Sequence, residues 1–232
     1  CYPGAVQLSD NVDRWGQYIR DSIVEPALGR DLLQLHPVDQ PALLRQIFGV
    51  TVSLPAQVVS LQKLHGQLQG KGTLPTIQHY LRLLSDAYLV TGIEKYYTAP
   101  IRARKSSPKL IVHDNGLLRA FRRPIASLLP PEEFGRYLEN AVGARLIESG
   151  WEVYYWRERD LEVDFVLLGP GGERFAMEVK AGNVTEKDLK GVRKFCEKHS
   201  DFEACCVVFS KQDLTSIKIF SAEEILSNSR KY

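Results

Sequence analysis

The sequence predicts a mixed α/β protein with two domains. Residues 41–90 place apolar side chains at helical spacing, whereas residues 151–182 form short runs rich in β-branched and aromatic residues. Between these regions, Pro130 and Pro131 end one pattern and are followed by acidic residues typical of a helix start. We therefore expect an N-terminal helical segment at 1–34, a first domain at 35–130 and a second domain at 131–232.

The composition excludes several classes of protein. Hydrophobic residues make up 44% and charged residues 25% of the 232 residues, which is typical of a globular chain. No apolar run approaches the roughly 18–20 residues that cross a bilayer, so no membrane partner is expected. Residues 1–15 lack a signal-peptide pattern. Because a primary translation product starts with Met and this chain begins with Cys1, we expect a processed piece of a longer protein. Cys205 and Cys206 lie in an apolar run, and buried free thiols suit a reducing cytoplasm.

The first domain is predicted to contain two helices joined by a short, glycine-containing turn. Residues 58–68 form a helix that Ser60 caps, and Thr73 and Pro75 begin the next helix. Strand-like runs on both sides of a basic loop then predict a hairpin. Helix-turn-helix followed by a hairpin resembles a winged helix, in which the last helix enters the DNA major groove. Arg82 would be its exposed cation, although winged helices also serve as protein–protein modules.

The loop of this hairpin is strongly basic. Residues 97–130 carry seven lysines and arginines against a single acidic residue, among them Arg102, Arg104, Lys105 and Lys109. Such a loop contacts DNA phosphates when a nucleic-acid-binding element lies beside it. A solvated surface loop is the alternative explanation.

The second domain is predicted to have the order αβββαβ. Residues 132–149 form a helix, and three strand-like runs separated by turn residues follow it. Residues 184–199 have the pattern of an amphipathic helix that Thr185 caps, and a buried strand comes next.

Three charged residues interrupt the predicted strands of this domain. Asp164 lies within LEVDFVLL, and Glu178 and Lys180 lie within FAMEVKAG, where period-two geometry places them on one face. Charges on a central strand are costly unless they are paired or hold a metal. Two carboxylates on neighbouring strands suit Mg²⁺ or Mn²⁺, and a nearby lysine can stabilise charge on a phosphate.

The helix glutamate Glu139, then Asp164, then Glu178-Val179-Lys180 resemble the PD-(D/E)xK nuclease superfamily. The segments GRYLENAVGARL, YYWRERDLEVDFVL and AMEVKAG, with YLRLLSDAYLV and KLIVHDNGLLRAF, resemble the C-terminal region of a prokaryotic AAA+ ATPase family. In that family a P-loop ATPase domain precedes a winged helix and a nuclease-like domain.

The resemblance implies a restriction-endonuclease-like fold and a metal-dependent DNA nuclease. Glu139, Asp164 and Glu178 would hold Mg²⁺ or Mn²⁺, and Lys180 would polarise the attacking water or the scissile phosphate. ATP would bind only in the missing N-terminal domain, since no G-x-x-x-x-G-K-[ST] motif occurs here. The alternative is a catalytically inert module that binds nucleic acid or protein and targets the ATPase, with Lys180 merely pairing the carboxylates.

Overall fold

The structure is a computed structural model that describes residues 2–69, 72–98, 106–122, 128–210 and 217–227. Within these ranges it contains helices, a two-stranded sheet and a mixed five-stranded sheet, which confirms the mixed α/β class. The chain divides into two compact units. The first comprises Cys1–Gly92 and Leu110–Leu129, and the second comprises Ile93–Lys109 and Pro130–Tyr232. The hairpin segment Ile93–Lys109 therefore groups with the second unit.

The first unit is mainly helical. Its helices are α1 (Pro3–Val6), α2 (Val12–Tyr18), two π-helical stretches (Ile19–Val24 and Ala27–Asp31), α3 (Leu32–Leu35), α4 (Pro41–Val52), α5 (Leu61–Gln67), α6 (Leu74–Asp86) and α7 (Asn115–Phe121). Strands β1 (Val90–Ile93) and β2 (Lys109–Val112) pair with each other, as the hairpin prediction requires. Among the described residues, no helix has the length and apolar composition needed to cross a membrane.

Local side-chain caps begin the helices of the predicted helix-turn-helix. The Ser60 hydroxyl accepts the Lys63 N–H at 3.1 Å, and the Thr73 hydroxyl accepts the Thr76 N–H at 3.3 Å. These bonds satisfy backbone N–H groups that have no partner within the first turn of a helix. The predicted Ser60 cap of α5 is thus confirmed, and Thr73, predicted to begin α6, is its N-cap.

Helix α6 buries one stripe and exposes the other. Ile77, Leu81 and Leu84 are buried, as their spacing predicts. His79 and Arg82 lie on the exposed side. The helix therefore has a solvent-facing polar surface within its own unit.

The second unit has the order αβββαβ that the sequence predicts. Its elements are α8 (Pro131–Glu148), β3 (Glu152–Glu158), β4 (Leu161–Leu168), β5 (Arg174–Lys180), α9 (Lys190–Lys198), β6 (Glu203–Val208), β7 (Lys218–Ser221) and α10 (Ala222–Ser227). The sheet order is β3-β4-β5-β6-β7, with antiparallel pairing up to β5 and parallel pairing from β5 to β7. Cys205 and Cys206 are buried in β6, as predicted.

Helix α9 begins later than its sequence pattern predicts. It starts at Lys190 rather than near Thr185, so Thr185 does not cap it. Instead, the Thr185 N–H and hydroxyl both donate to Oδ2 of Asp188, at 2.9 and 2.6 Å. This side-chain capture closes a local turn, which competes with helix formation.

Helix α9 packs against β4 through Gly191. A Cβ atom at this position would lie 1.9 Å from the backbone oxygen of Glu162. Only glycine permits the helix to approach the strand this closely.

Candidate functional site

Strand β5 brings a glutamate and a lysine into direct contact. Nζ of Lys180 lies 2.8 Å from Oε1 of Glu178, as expected for side chains two positions apart on one strand. The Glu178 side chain is 9% exposed and that of Lys180 is 33% exposed, so the pair lies at the boundary between core and solvent. Oε2 of Glu178 is buried and finds no hydrogen-bond partner among the described residues. This oxygen is an open acceptor.

Asp164 lies on β4, the strand that pairs with β5. Its Oδ2 accepts the Val179 N–H at 2.9 Å, which fixes the carboxylate between the two strands. The Asp164 side chain is only 13% exposed. The structure therefore brings Asp164, Glu178 and Lys180 together, as the sequence predicts.

Lys109 is a further member of this cluster. The basic-loop hypothesis placed it among residues that contact phosphate or solvent, and this was wrong, since its side chain is 1% exposed. Its ammonium forms an ion pair with Oε1 of Glu139, and lies 3.4 Å from Oδ1 of Asp164 and 3.7 Å from Oε1 of Glu162. Nζ also donates to the backbone oxygen of Asp164 at 3.2 Å.

The segment before Lys109 is held against β3. The Tyr96 N–H donates to the Tyr155 carbonyl at 2.7 Å, and the Tyr155 N–H donates to the Glu94 carbonyl at 3.1 Å. The Tyr155 hydroxyl donates to the Ser107 carbonyl at 2.6 Å. These bonds hold the chain against β3 on both sides of residues 99–105, which lie outside the described ranges. They place Lys109 beside the carboxylates.

The sequence did not identify Lys109 as a member of the cluster, because its neighbours suggest a basic surface loop. It follows the basic run at 102–105, yet it is also the first residue of KLIV, a strand whose four residues are all buried. What distinguishes Lys109 from the residues of the basic loop is that it is the first residue of a buried strand. Glu162, which is 37% exposed, carried no comparable signal.

The protein environment shifts the pKa of two glutamates and two lysines of the cluster. Burial, and then the charge of Asp164, raises the pKa of both Glu139 and Glu178 to about 8. Burial alone lowers the pKa of Lys109, but Glu139 and then Asp164 reverse this effect and hold it above its ordinary value. Lys180 responds in the same way to Glu178, and its pKa is raised to about 12. Both lysines are therefore cations at neutral pH.

The predicted metal ligands are only partly available. Over the described ranges, no group of three or more histidine, cysteine, aspartate or glutamate side chains has an arrangement that could hold a metal ion. The Glu139 carboxylate is occupied by Lys109. Asp164 and Glu178 are the two carboxylates that could hold a divalent cation, since Oε2 of Glu178 is buried and has no hydrogen-bond partner within the part of the chain that the structure describes. Mg²⁺ commonly uses one or two protein carboxylates and takes its other ligands from water and substrate phosphates.

Of the four predicted nucleic-acid contacts, the structure describes Arg82. Arg82 is exposed on α6 of the first unit. Arg102, Arg104 and Lys105 lie outside the described residues.

Comparisons with known proteins identify two domains. Residues 1–127 match the model described as Domain of unknown function (DUF8612), and residues 134–225 match Domain of unknown function (DUF4143). No curated protein and no solved structure matches the chain.

Proposed function

Since the chain belongs to the family described as Domain of unknown function (DUF8612), its function is inferred from its site, and we propose that the second unit is a Mg²⁺- or Mn²⁺-dependent DNA nuclease. The observation that carries this proposal is the contact of Lys180 with Glu178 beside Asp164, with one Glu178 oxygen open. Asp164 and Glu178 would hold the cation. When bound, it would polarise the scissile phosphate and lower the pKa of a bound water.

Lys180 supplies a fixed positive charge in this proposal. Because its pKa is raised to about 12, it does not act as a general base at neutral pH. Its ammonium donates a hydrogen bond to the phosphate or to the attacking water, and so stabilises the charge that develops in the transition state. Its 33% exposure leaves this group accessible to substrate.

Lys109 and Glu139 support the site rather than contact substrate. The Lys109 ammonium offsets the repulsion between Glu139 and Asp164, which burial would otherwise make costly. Glu139, assigned to the metal by its resemblance to nucleases, instead fixes Lys109. We infer a positioning role for both residues.

We further propose that the chain acts beside a AAA+ ATPase domain of the same polypeptide in the cytoplasm, with ATP bound only there. The resemblance of the segments around Glu139, Asp164 and Glu178 to that ATPase family supports this. The exposed Arg82 and the basic loop support DNA as the partner of the winged-helix-like part.

One observation favours a second candidate function, a catalytically inert binding module. Lys109 already places a positive charge beside Asp164 and Glu139, where a nuclease would bind metal. In this case the cluster is structural, and the chain only brings nucleic acid or protein to the ATPase.

A cleavage assay with Mg²⁺, Mn²⁺ and Ca²⁺ on single- and double-stranded DNA and RNA tests the nuclease proposal. We expect cleavage with Mg²⁺ or Mn²⁺, and a loss of about 10²–10³-fold in rate for Lys180→Ala, with Mn²⁺ binding retained. Lys194→Ala, which removes an exposed lysine of α9, is the matched control and should cleave normally. If the unaltered chain cleaves none of these substrates but still binds them, the binding-module function replaces the nuclease.

A further inference from the structure

Strand β6 is followed by an aromatic residue at the edge of the sheet where Lys180 lies. Lys180 is the last residue of β5 and pairs in parallel with Val208, the last residue of β6. The Phe209 N–H then donates to the Lys180 carbonyl at 3.2 Å. Because parallel strands run in one direction, their carboxyl ends meet at one edge of the sheet. The backbone of Phe209 is therefore held directly beside that of Lys180.

The Phe209 side chain is open to solvent. Phe209 is 55% exposed, and no other aromatic residue among the described residues of the second unit is exposed. Phe134, in the first turn of α8, packs against it with the ring centroids 4.9 Å apart and an interplanar angle of 87°. Such edge-to-face pairs are favourable. The contact supports the Phe209 ring on one side and leaves the rest of it available to a ligand.

This edge of the sheet matches the two ends of a nucleotide. The Lys180 ammonium is 33% exposed and suits a phosphate. Lys180 and Val208 share a face because they are paired, so the next residue, Phe209, projects toward the other face. In a nucleotide, the phosphate and the base likewise project from different sides of the sugar. Proteins bind unpaired strands by combining such cations with aromatic rings on which bases stack.

We propose that Phe209 stacks on an unpaired base of the DNA strand whose phosphate contacts Lys180. The bases of a continuous duplex are already stacked on their neighbours, so an exposed ring selects a strand that is unpaired at this point. The substrate of the second unit is then DNA with a single-stranded segment at the scissile phosphate. This inference rests on the proposed function, since it takes Lys180 as the residue that contacts the phosphate.

Binding without cleavage tests this inference separately from the nuclease chemistry. Fluorescence anisotropy in EDTA compares a labelled strand of about ten thymidines with an equally long strand of abasic units, which has the same phosphates but no bases. We expect the unaltered chain to bind the thymidine strand at least about fivefold more tightly, as one base–aromatic stack requires. Phe209→Leu should bind both strands equally, whereas Phe209→Trp should retain the preference for thymidine.

Two further variants control for the position of the ring and of the phosphate. Phe121 is a phenylalanine of the first unit that is 37% exposed and packs edge-to-face on Phe48. Phe121→Leu is therefore the matched control, and it should keep the preference for the thymidine strand. Lys180→Ala should weaken the binding of both strands by the same factor, because both carry the phosphates that the lysine contacts.

Equal binding of the thymidine and abasic strands by the unaltered chain would overturn the inference, and so would a preference that survives in Phe209→Leu. Unchanged binding of both strands by Lys180→Ala would also overturn it, because the ring and the lysine would then not contact one strand. A chain that cleaves DNA without preferring the thymidine strand loses only this inference. A chain whose preference depends on Phe209 but which cleaves nothing loses only the nuclease proposal.

Discussion

Replacing Lys109 by methionine removes the central cation of the carboxylate cluster without opening a large cavity. Methionine has nearly the length of lysine and fills the same buried channel with apolar atoms. The change leaves Glu139 and Asp164 facing each other without the ammonium that now pairs with both. Glu162, 3.7 Å from the same ammonium, loses a weaker contact.

The expected loss of stability follows from the burial of this ion pair. The Lys109 side chain is 1% exposed and that of Glu139 is 17% exposed, so solvent screens the pair poorly. Breaking a buried pair by removing one partner costs about 3–5 kcal/mol. Since about 1 kcal/mol lowers the melting temperature of a domain by roughly 2–8 °C, we expect a decrease of at least about 6 °C.

The loss should grow with pH. Glu139 has a folded-state pKa of about 8, above its ordinary value of 4.5, and Lys109 acts to lower it. Without Lys109 this pKa rises further, so the folded variant binds protons more tightly than the unfolded chain does. Stability from such a group is present at low pH and is lost as pH rises from about 4.5 through the folded-state pKa. Up to about pH 8 Glu139 stays protonated in both folded proteins, so their stabilities fall in parallel. Above about pH 8 only the unaltered chain ionises Glu139, and the variant should then fall progressively further below it.

Tryptophan fluorescence can follow the second unit selectively. In a Trp15→Phe background, emission comes only from Trp151 and Trp156, both in that unit. Urea titrations at several pH values then give the free energy of unfolding for the parent and for Lys109→Met. Glu139→Gln in addition should restore much of the loss, because it removes the buried charge that Lys109 compensates.

The control is Lys218→Met, which removes a half-exposed lysine paired at 3.4 Å with Glu203 and should cost less than about 1 kcal/mol. If Lys109→Met costs no more than this control at pH 8, Lys109 does not hold the cluster together. A loss that does not grow as the pH rises above about 8 would likewise refute the electrostatic reasoning.

Two further predictions concern the site and the basic loop. Because burial and Asp164 raise the pKa of Glu178 to about 8, this residue stabilises the fold at low pH and loses that contribution as pH rises from about 4.5 to 8. Glu178→Gln should flatten the pH dependence of urea unfolding over this window, and an unchanged profile would contradict the assigned pKa shift. Replacing the three cations of residues 102–105 by alanine should reduce the salt slope of DNA binding by about 0.9 for each lost phosphate contact. An unchanged slope would mean that the loop is only a solvated surface.

The local features of this protein could be predicted from sequence because they depend on residues close together in the chain. The Thr73 cap and the buried stripe of Ile77, Leu81 and Leu84 follow from short hydrogen bonds and the helical repeat. The contact of Glu178 with Lys180 follows from strand alternation. The order αβββαβ follows from the same periodicities, read one element after another.

The composition of the carboxylate cluster was decided only by tertiary structure. Lys109 and Asp164 are 55 residues apart, and periodicity carries no information over that distance. The backbone bonds of Tyr96 with Tyr155 bring the hairpin segment to β3, and burial then selects Lys109 as the counter-ion of Glu139. A charge enters a protein core only where the fold brings opposite charges to it, because an unpaired ion there costs more free energy than local structure supplies.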